Sequence, residues 1–166
     1  MSPHYDVLAG ASERGQRLTL DEQGAPVAFE PSRWLVCFVP GLQSQFWHRF
    51  VHKTHKHVLM LKPNPGGTWT LFDPRWTRLQ VRTMGMDQAV RFLQWAAMGD
   101  ALMVEEDVPG RGRQFCGWAN CASLAAFTLG RSYWVWSPHA LFERLQSEGG
   151  AQRIDVAELL RRCLAA

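Results

Sequence analysis

The chain has 166 residues, 46% of them hydrophobic and 20% charged, with eight Trp and nine Phe. That is the composition of one globular domain with a sizeable core and a heavy aromatic load. The formal charge is only +3 and the basic residues are scattered, apart from Arg111, Arg113 and the stretch 48–57, so nucleic-acid binding has little support.

Residues 1–31 are polar and rich in Gly and Pro, which predicts a flexible N-terminal arm with one short strand over 17–20. Residues 32–166 form a single domain. Within it, residues 34–39 are an apolar run ending at Pro40, consistent with a buried strand, and 41–54 are ambiguous between helix and loop. Strands are expected over 57–62 and 68–73, joined by a Pro-Asn-Pro-Gly-Gly turn at 63–67, and over 78–83, where polar and apolar residues alternate. Asp87 can cap a helix running through Met98 and stopped by Gly99, and residues 101–108 read as another strand. A loop rich in Gly and Arg, 109–118, leads to a helix that opens at Cys121. Ser137-Pro138 opens a further helix through about Gln146, and Asp155 with Glu158 makes a capping-box-like start to the last one. Strands cluster centrally with helices around them. The expected class is α+β with a mostly antiparallel sheet.

Cys121 carries the chemical signal. Asn120 is a good N-cap, and Cys-Ala-Ser-Leu-Ala-Ala-Phe-Thr-Leu closed by Gly130 is a compact and almost wholly apolar helical run, hence expected to be buried. A thiol in the first helical turn meets unpaired N–H groups and the positive end of the dipole, which favour the reactive thiolate. The competing reading is a small buried residue at a helix start, a common place for free Cys. His57, at the mouth of an apolar strand, can serve as base. If Lys62 pairs with Thr68, paired positions sum to 130 and His57 faces Asp73, which would fix the imidazole tautomer; alternatively, Asp73-Pro74 simply ends a strand. A one-residue slip would turn Asp73 away.

Taken together, His57 opening an apolar strand, Asp73 on the next strand and a later Cys121 opening a helix resemble the permuted papain-like fold. That group includes relatives of NlpC-type cell-wall peptidases and of lecithin retinol acyltransferase. The second half is also similar to small uncharacterised proteins of phages and prophages. Their pattern is a strand ending in Val-Glu, a Cys-headed helix ending in Leu-Gly, an aromatic strand and a Thr/Ser-Pro-x-x-Leu helix start. Here these are Met103-Val104-Glu105, the run 121–130, Trp134-Val135-Trp136 and Ser137-Pro138-His139-Ala140-Leu141. Ala122 and Ala125 stand where the resemblance leads one to expect larger or basic residues.

The resemblance covers roughly residues 34–145. It implies an NlpC-like cysteine hydrolase with Cys121 as nucleophile, His57 as general base and Asp73 as orienter. The oxyanion would be held by the Cys121 N–H with Gln114 or Asn120, and Trp118 would lie near the substrate. The implied function is a thiol hydrolase (a cysteine peptidase or amidase) or acyltransferase acting on amide bonds, with peptidoglycan stem peptides as leading substrate and other phage proteins as partners. A non-catalytic phage tail or assembly component is the alternative, and a zinc-stabilised binding module is a second one.

Of the other cysteines, Cys37 and Cys163 read as reduced core residues, and Cys116 could bridge to Cys121 only if the intervening loop folds back. His48, His52, His55 and His57 invite a metal, but no HExxH motif is present, and Arg49, Lys53 and Lys56 oppose a cation; no cofactor or metal is expected. His139 reads as a surface residue. Trp69, Trp76, Trp118, Trp134 and Trp136 read as core or as the lining of a groove. The N-terminus lacks the pattern of a secretory signal and no apolar run reaches membrane length, so a soluble chain made in the cytoplasm is expected, with the resemblance implying later incorporation into a virion.

Overall fold

A computed structural model describes residues 19–20, 26–27, 31–42, 51–75, 78–107 and 119–165. Among them, β1 (Thr19–Leu20) and β2 (Pro26–Val27) form a small antiparallel pair within the predicted arm. The domain is built on a six-stranded sheet of β3 (Arg33–Val39), β4 (His57–Pro63), β5 (Trp69–Arg75), β6 (Arg78–Met84), β7 (Asp100–Glu105) and β8 (Gln152–Arg153). Their order is β6-β5-β4-β3-β7-β8, and every pairing is antiparallel. Four helices accompany it: α1 (Met86–Ala96), α2 (Cys121–Thr128), α3 (Pro138–Ser147) and α4 (Val156–Ala165). The α+β class and the antiparallel sheet agree with the sequence reading. No helix of the described residues is long and apolar enough to cross a membrane.

Strand β3 explains the layering. It lies between β4 and β7, and all but its first residue are buried, because apolar side chains project from both of its faces into separate cores. On one face Trp34, Val36 and Phe38 join Val58, Met60, Leu102 and Val104 beneath α2 and α3. On the other, Leu35, Cys37 and Val39 join Leu59, Leu61 and Leu71 beneath α1 and α4. Cys37 is wholly buried, and burial pushes its thiol far up from its ordinary range, which makes it the inert core residue expected. Cys163, half-buried, also carries a free thiol.

Local signals were read with differing success. Strand β5 runs past Asp73 to Arg75, through Pro74. Pairing with β4 reaches only to Phe72, so Pro74 costs that ladder no donor. Helix α1 is capped by the Gly85 backbone without a side-chain bond. Asp87 lies inside its first turn, where a carboxylate still suits the dipole, and the helix ends at Ala96 rather than Met98. Gly99 follows because the chain there runs against β3: a Cβ would stand 2.0 Å from the Phe38 carbonyl oxygen.

Strand β7 ends at Glu105, three residues earlier than expected. Residues 134–136, expected as an aromatic strand, join no sheet among the described residues, although Val135 is buried in the core while the rings of Trp134 and Trp136 are exposed. Ser137 caps α3 with Pro138 at its first position, as read. Asp155 accepts from the N–H groups of Ala157 and Glu158, while the Glu158 carboxylate holds Arg161 and Arg162.

Replacing Gly99 by Ala should cost about 3 kcal/mol or more, since the obstructing atoms are backbone and cannot rotate away. Gly85→Ser, which adds the missing side-chain cap in open space, should instead stabilise by about a few tenths of a kcal/mol. Urea denaturation of both variants checks the pair.

Candidate active site

The turn between β4 and β5 sets the position of the acid. Gly66 and Gly67 both adopt positive φ, at 83° and 76°, which side-chain-bearing residues resist, and Asn64 N–H closes the loop on the Thr68 carbonyl at 2.8 Å. Pairing therefore starts at Pro63 with Trp69, and Lys62 opposes Thr70 rather than Thr68. The register differs from the expected one by two residues, not one. Asp73 thus stays on the same face as His57 and becomes its diagonal neighbour instead of its direct partner. The expected contact forms: His57 Nε2 lies 2.6 Å from Asp73 Oδ1.

Asp73 has no exposed surface, and its second oxygen accepts a hydrogen bond from Arg75 Nε at 2.7 Å. Burial opposes its charge, but the bonds from His57 and Arg75 outweigh that and hold the carboxyl below the usual carboxylate range. The Cys121 side chain lies near the ring as well, and its presence favours the charged imidazole. With Nε2 committed to Asp73, Nδ1 is the nitrogen left for the thiol. Burial opposes charge on the ring as well, yet the bond to Asp73 and the nearby Cys121 side chain outweigh it and raise the His57 pKa to about 9.

Cys121 is half-buried and carries a free thiol. Its helix starts where Asn120 predicted, through a reciprocal cap: Asn120 Oδ1 accepts from Ser123 N–H and Ser123 Oγ accepts from Asn120 N–H, both at 2.9 Å. It ends at Gly130 in a Schellman closure, with Arg131 N–H on the Ala126 carbonyl and Gly130 N–H on that of Phe127. The helix is not wholly buried. Ala122, Ala125 and Ala126 press on the sheet, where β4 and β5 leave room only for small side chains, while Phe127 faces outward. That packing explains why the larger residues expected at 122 and 125 are absent. The Cys121 N–H, in the first turn, has no intrahelical acceptor and remains a candidate oxyanion donor.

Asn120 is otherwise occupied. Besides the cap, its Nδ2 donates to the Trp136 carbonyl at 3.3 Å, which sets the exposed Trp134–Trp136 pair beside the first turn of α2. Gln114, Trp118, Trp76 and Cys116 lie outside the described residues.

Two residues of the site were not singled out from the sequence. Arg75 shares the face of Asp73 two positions along β5, a spacing that could have suggested it. Trp95, on α1, stacks on His57 at 5.8 Å between ring centroids and is itself anchored by its indole N–H to the Pro40 carbonyl at 2.9 Å. No local pattern announces that contact, which joins residues 38 positions apart in sequence. His57 is thus reached from both sides of the sheet, by α1 and by α2.

The histidine run separates into different environments. His55 is buried, with Nε2 on Asp100 Oδ2 at 2.8 Å and Nδ1 only 3.0 Å from His139 Nδ1. Burial lowers the pKa of His55 against the opposing effect of Asp100. His52 is exposed, and its ring stacks on that of His139, which is half-buried rather than a free surface residue.

No protein-family model, curated protein or solved structure matches the chain. The site itself brings together a thiol, an imidazole and a buried carboxylate.

The ring's folded pKa of about 9 lies above its ordinary 6.5, so the stability it contributes is full below about pH 6.5 and is lost as pH rises through about 9. A ¹⁵N NMR titration should show the His57 imidazolium persisting to about pH 9 and titrating lower in Cys121→Ala, which removes one of the groups that favour the charged ring. A wild-type midpoint near 6.5 would contradict the linked arrangement.

Proposed function

We propose that this chain is a thiol hydrolase or acyltransferase acting on an amide bond, in a permuted papain-like architecture. The observation that carries the reading is the His57 imidazole, bonded to the buried Asp73 carboxylate, with the Cys121 side chain close by at the start of its helix. A helix-borne cysteine packed on the sheet, with the histidine earlier in the chain on a strand, supports the permuted order. The absence of a side-chain-rich first turn does not weaken it, because a first-turn backbone N–H can serve the oxyanion.

In this reading the Cys121 thiolate attacks the amide carbonyl carbon, forming a C–S bond while the carbonyl π electrons move onto oxygen. The oxyanion lies toward the Cys121 N–H. Collapse re-forms the carbonyl and breaks the C–N bond. The His57 imidazolium gives its proton to the departing amine, leaving a thioester on Cys121 and a neutral ring. His57 then takes a proton from water, or from an acceptor nucleophile in the acyltransfer case. The resulting attack on the thioester releases the acyl product and returns the thiolate and imidazolium. Asp73 keeps the ring oriented and stabilises its positive form, with Arg75 satisfying the second carboxylate oxygen. Peptidoglycan stem peptides are the first substrate class to try. That choice rests on the likeness to NlpC-type peptidases and phage proteins alone.

Two measurements test the reading. Brief iodoacetamide treatment at neutral pH should label Cys121 ahead of Cys37, Cys116 and Cys163, and His57→Ala should slow it; preferential labelling of Cys116 would displace Cys121 as nucleophile. In cleavage of purified peptidoglycan or a stem-peptide amide, Cys121→Ser should lose about a thousandfold or more with its thermal melt nearly unchanged. Asp73→Asn should lose about a hundredfold, because the ring keeps its Trp95 stack but loses its charge partner. Equal activity in all three proteins, or an inactive wild type whose Cys121→Ser form still supports particle assembly, would favour the structural role instead.

A further inference from the structure

We infer that His52, His55 and His139 form a binding site for a late first-row divalent cation, zinc foremost, separate from the Cys121–His57 pair. One ring nitrogen from each lies within 4.8 Å of the others. The set could not be read from the histidine run, because its third member comes from the start of α3, 84 positions from His55.

The tautomers make the case. Asp100 Oδ2, 2.8 Å from His55 Nε2, accepts a proton only from that nitrogen, so the His55 Nδ1 carries a lone pair. Glu143 sits 3.6 Å from His139 Nε2, one helical turn along α3, so a proton on that nitrogen faces a carboxylate and leaves His139 Nδ1 as a second lone pair. The two Nδ1 atoms face each other at 3.0 Å, where one ring can donate to the other without an ion and both can turn their lone pairs to a shared cation once the second proton sits on the Glu143 side. Tetrahedral zinc, with Zn–N of about 2.0–2.1 Å, holds ligand nitrogens about 3.3 Å apart, so the pair needs to open only slightly.

The carboxylates behind both rings are the arrangement that orients metal-bound imidazoles and increases their basicity. Asp100 is itself held by Arg153, and the His55 ring is wedged against Phe38 and Phe142, so the deepest ligand is already fixed in place. The His52 ring now stacks on His139 with only 9° between planes, an orientation from which both cannot point at one ion. His52 is exposed, however, and can turn about its side-chain bonds to complete the set. Three imidazoles leave a fourth position for water. Lys53 and Lys56 adjoin the site in sequence; Asp100 and Glu143 supply the compensating negative charge. A bound ion would tie the segment preceding β4 to the start of α3.

The test uses the full chain, stripped with chelator and titrated with zinc, with elemental analysis after desalting. We expect about one zinc per chain and a melting temperature about 5–10 °C higher at a hundredfold excess over Kd. Both effects should vanish in His139→Ala and in His52→Ala. The exposed His52 makes the second variant safe to fold, and a far-UV spectrum of each metal-free protein verifies it. Cys121→Ser should bind zinc as wild type does, and cobalt substitution should give visible d–d bands with no thiolate charge-transfer band. Failure of the wild type to retain zinc, retention in His139→Ala and His52→Ala, or loss in Cys121→Ser with a thiolate band in the cobalt protein would each overturn the assignment.

Discussion

A carboxylate wholly withdrawn from water must be paired or protonated, and Asp73 is paired twice. Much of the site follows from that requirement. One oxygen fixes the imidazole of His57 and the other fixes Arg75, so the partners on β4 and β5 are locked across the sheet. Removing either cationic partner would leave one buried carboxylate oxygen without its hydrogen bond. The pairing also explains how a strand that is otherwise apolar accommodates a titratable ring at its first residue without losing its packing.

The site lies where the two layers of the molecule meet the end of the sheet. Trp95 arrives from the helix layer beneath one face, and Cys121 from the layer beneath the other. His57 can receive both because it occupies the terminal position of β4, opposite Val39, where neither face is closed over by a further strand residue. A mid-strand residue would project into one core alone. Position at a strand end thus supplies what side-chain alternation would otherwise forbid.

The sequence made the helix of Cys121 legible because its signals are local: an Asn cap at one end and a Gly in positive φ at the other. The central strands were legible for a similar reason, since runs buried on both faces are continuous in apolar character. Register was not, because it depends on how many residues the turn consumes, and two consecutive glycines at positive φ close that turn on Asn64 and Thr68. Parity rescued the His57–Asp73 contact, as a shift of two keeps both side chains on one face. Trp95 escaped notice, and His139 reads from the sequence only as a surface residue, because tertiary packing alone brings them to their partners. The Trp134-Val135-Trp136 stretch misled in the opposite way: its alternation is that of a strand, but among the described residues it belongs to no sheet. Alternation reports burial on one side, which an extended segment outside a sheet shows equally well.

The three alanines on the inner side of α2 have a further meaning. Because Ala122, Ala125 and Ala126 are buried against the sheet, the separation between helix axis and sheet is near the minimum that side chains allow. The gap between thiol and imidazole is therefore a packing dimension, gauged by methyl groups rather than by any bond between the two residues. A methylene added to that inner side would act as a shim, lifting Cys121 away from His57 while leaving the polar groups of both chemically intact. Under the proposed mechanism, reactivity would thus be tunable from the core.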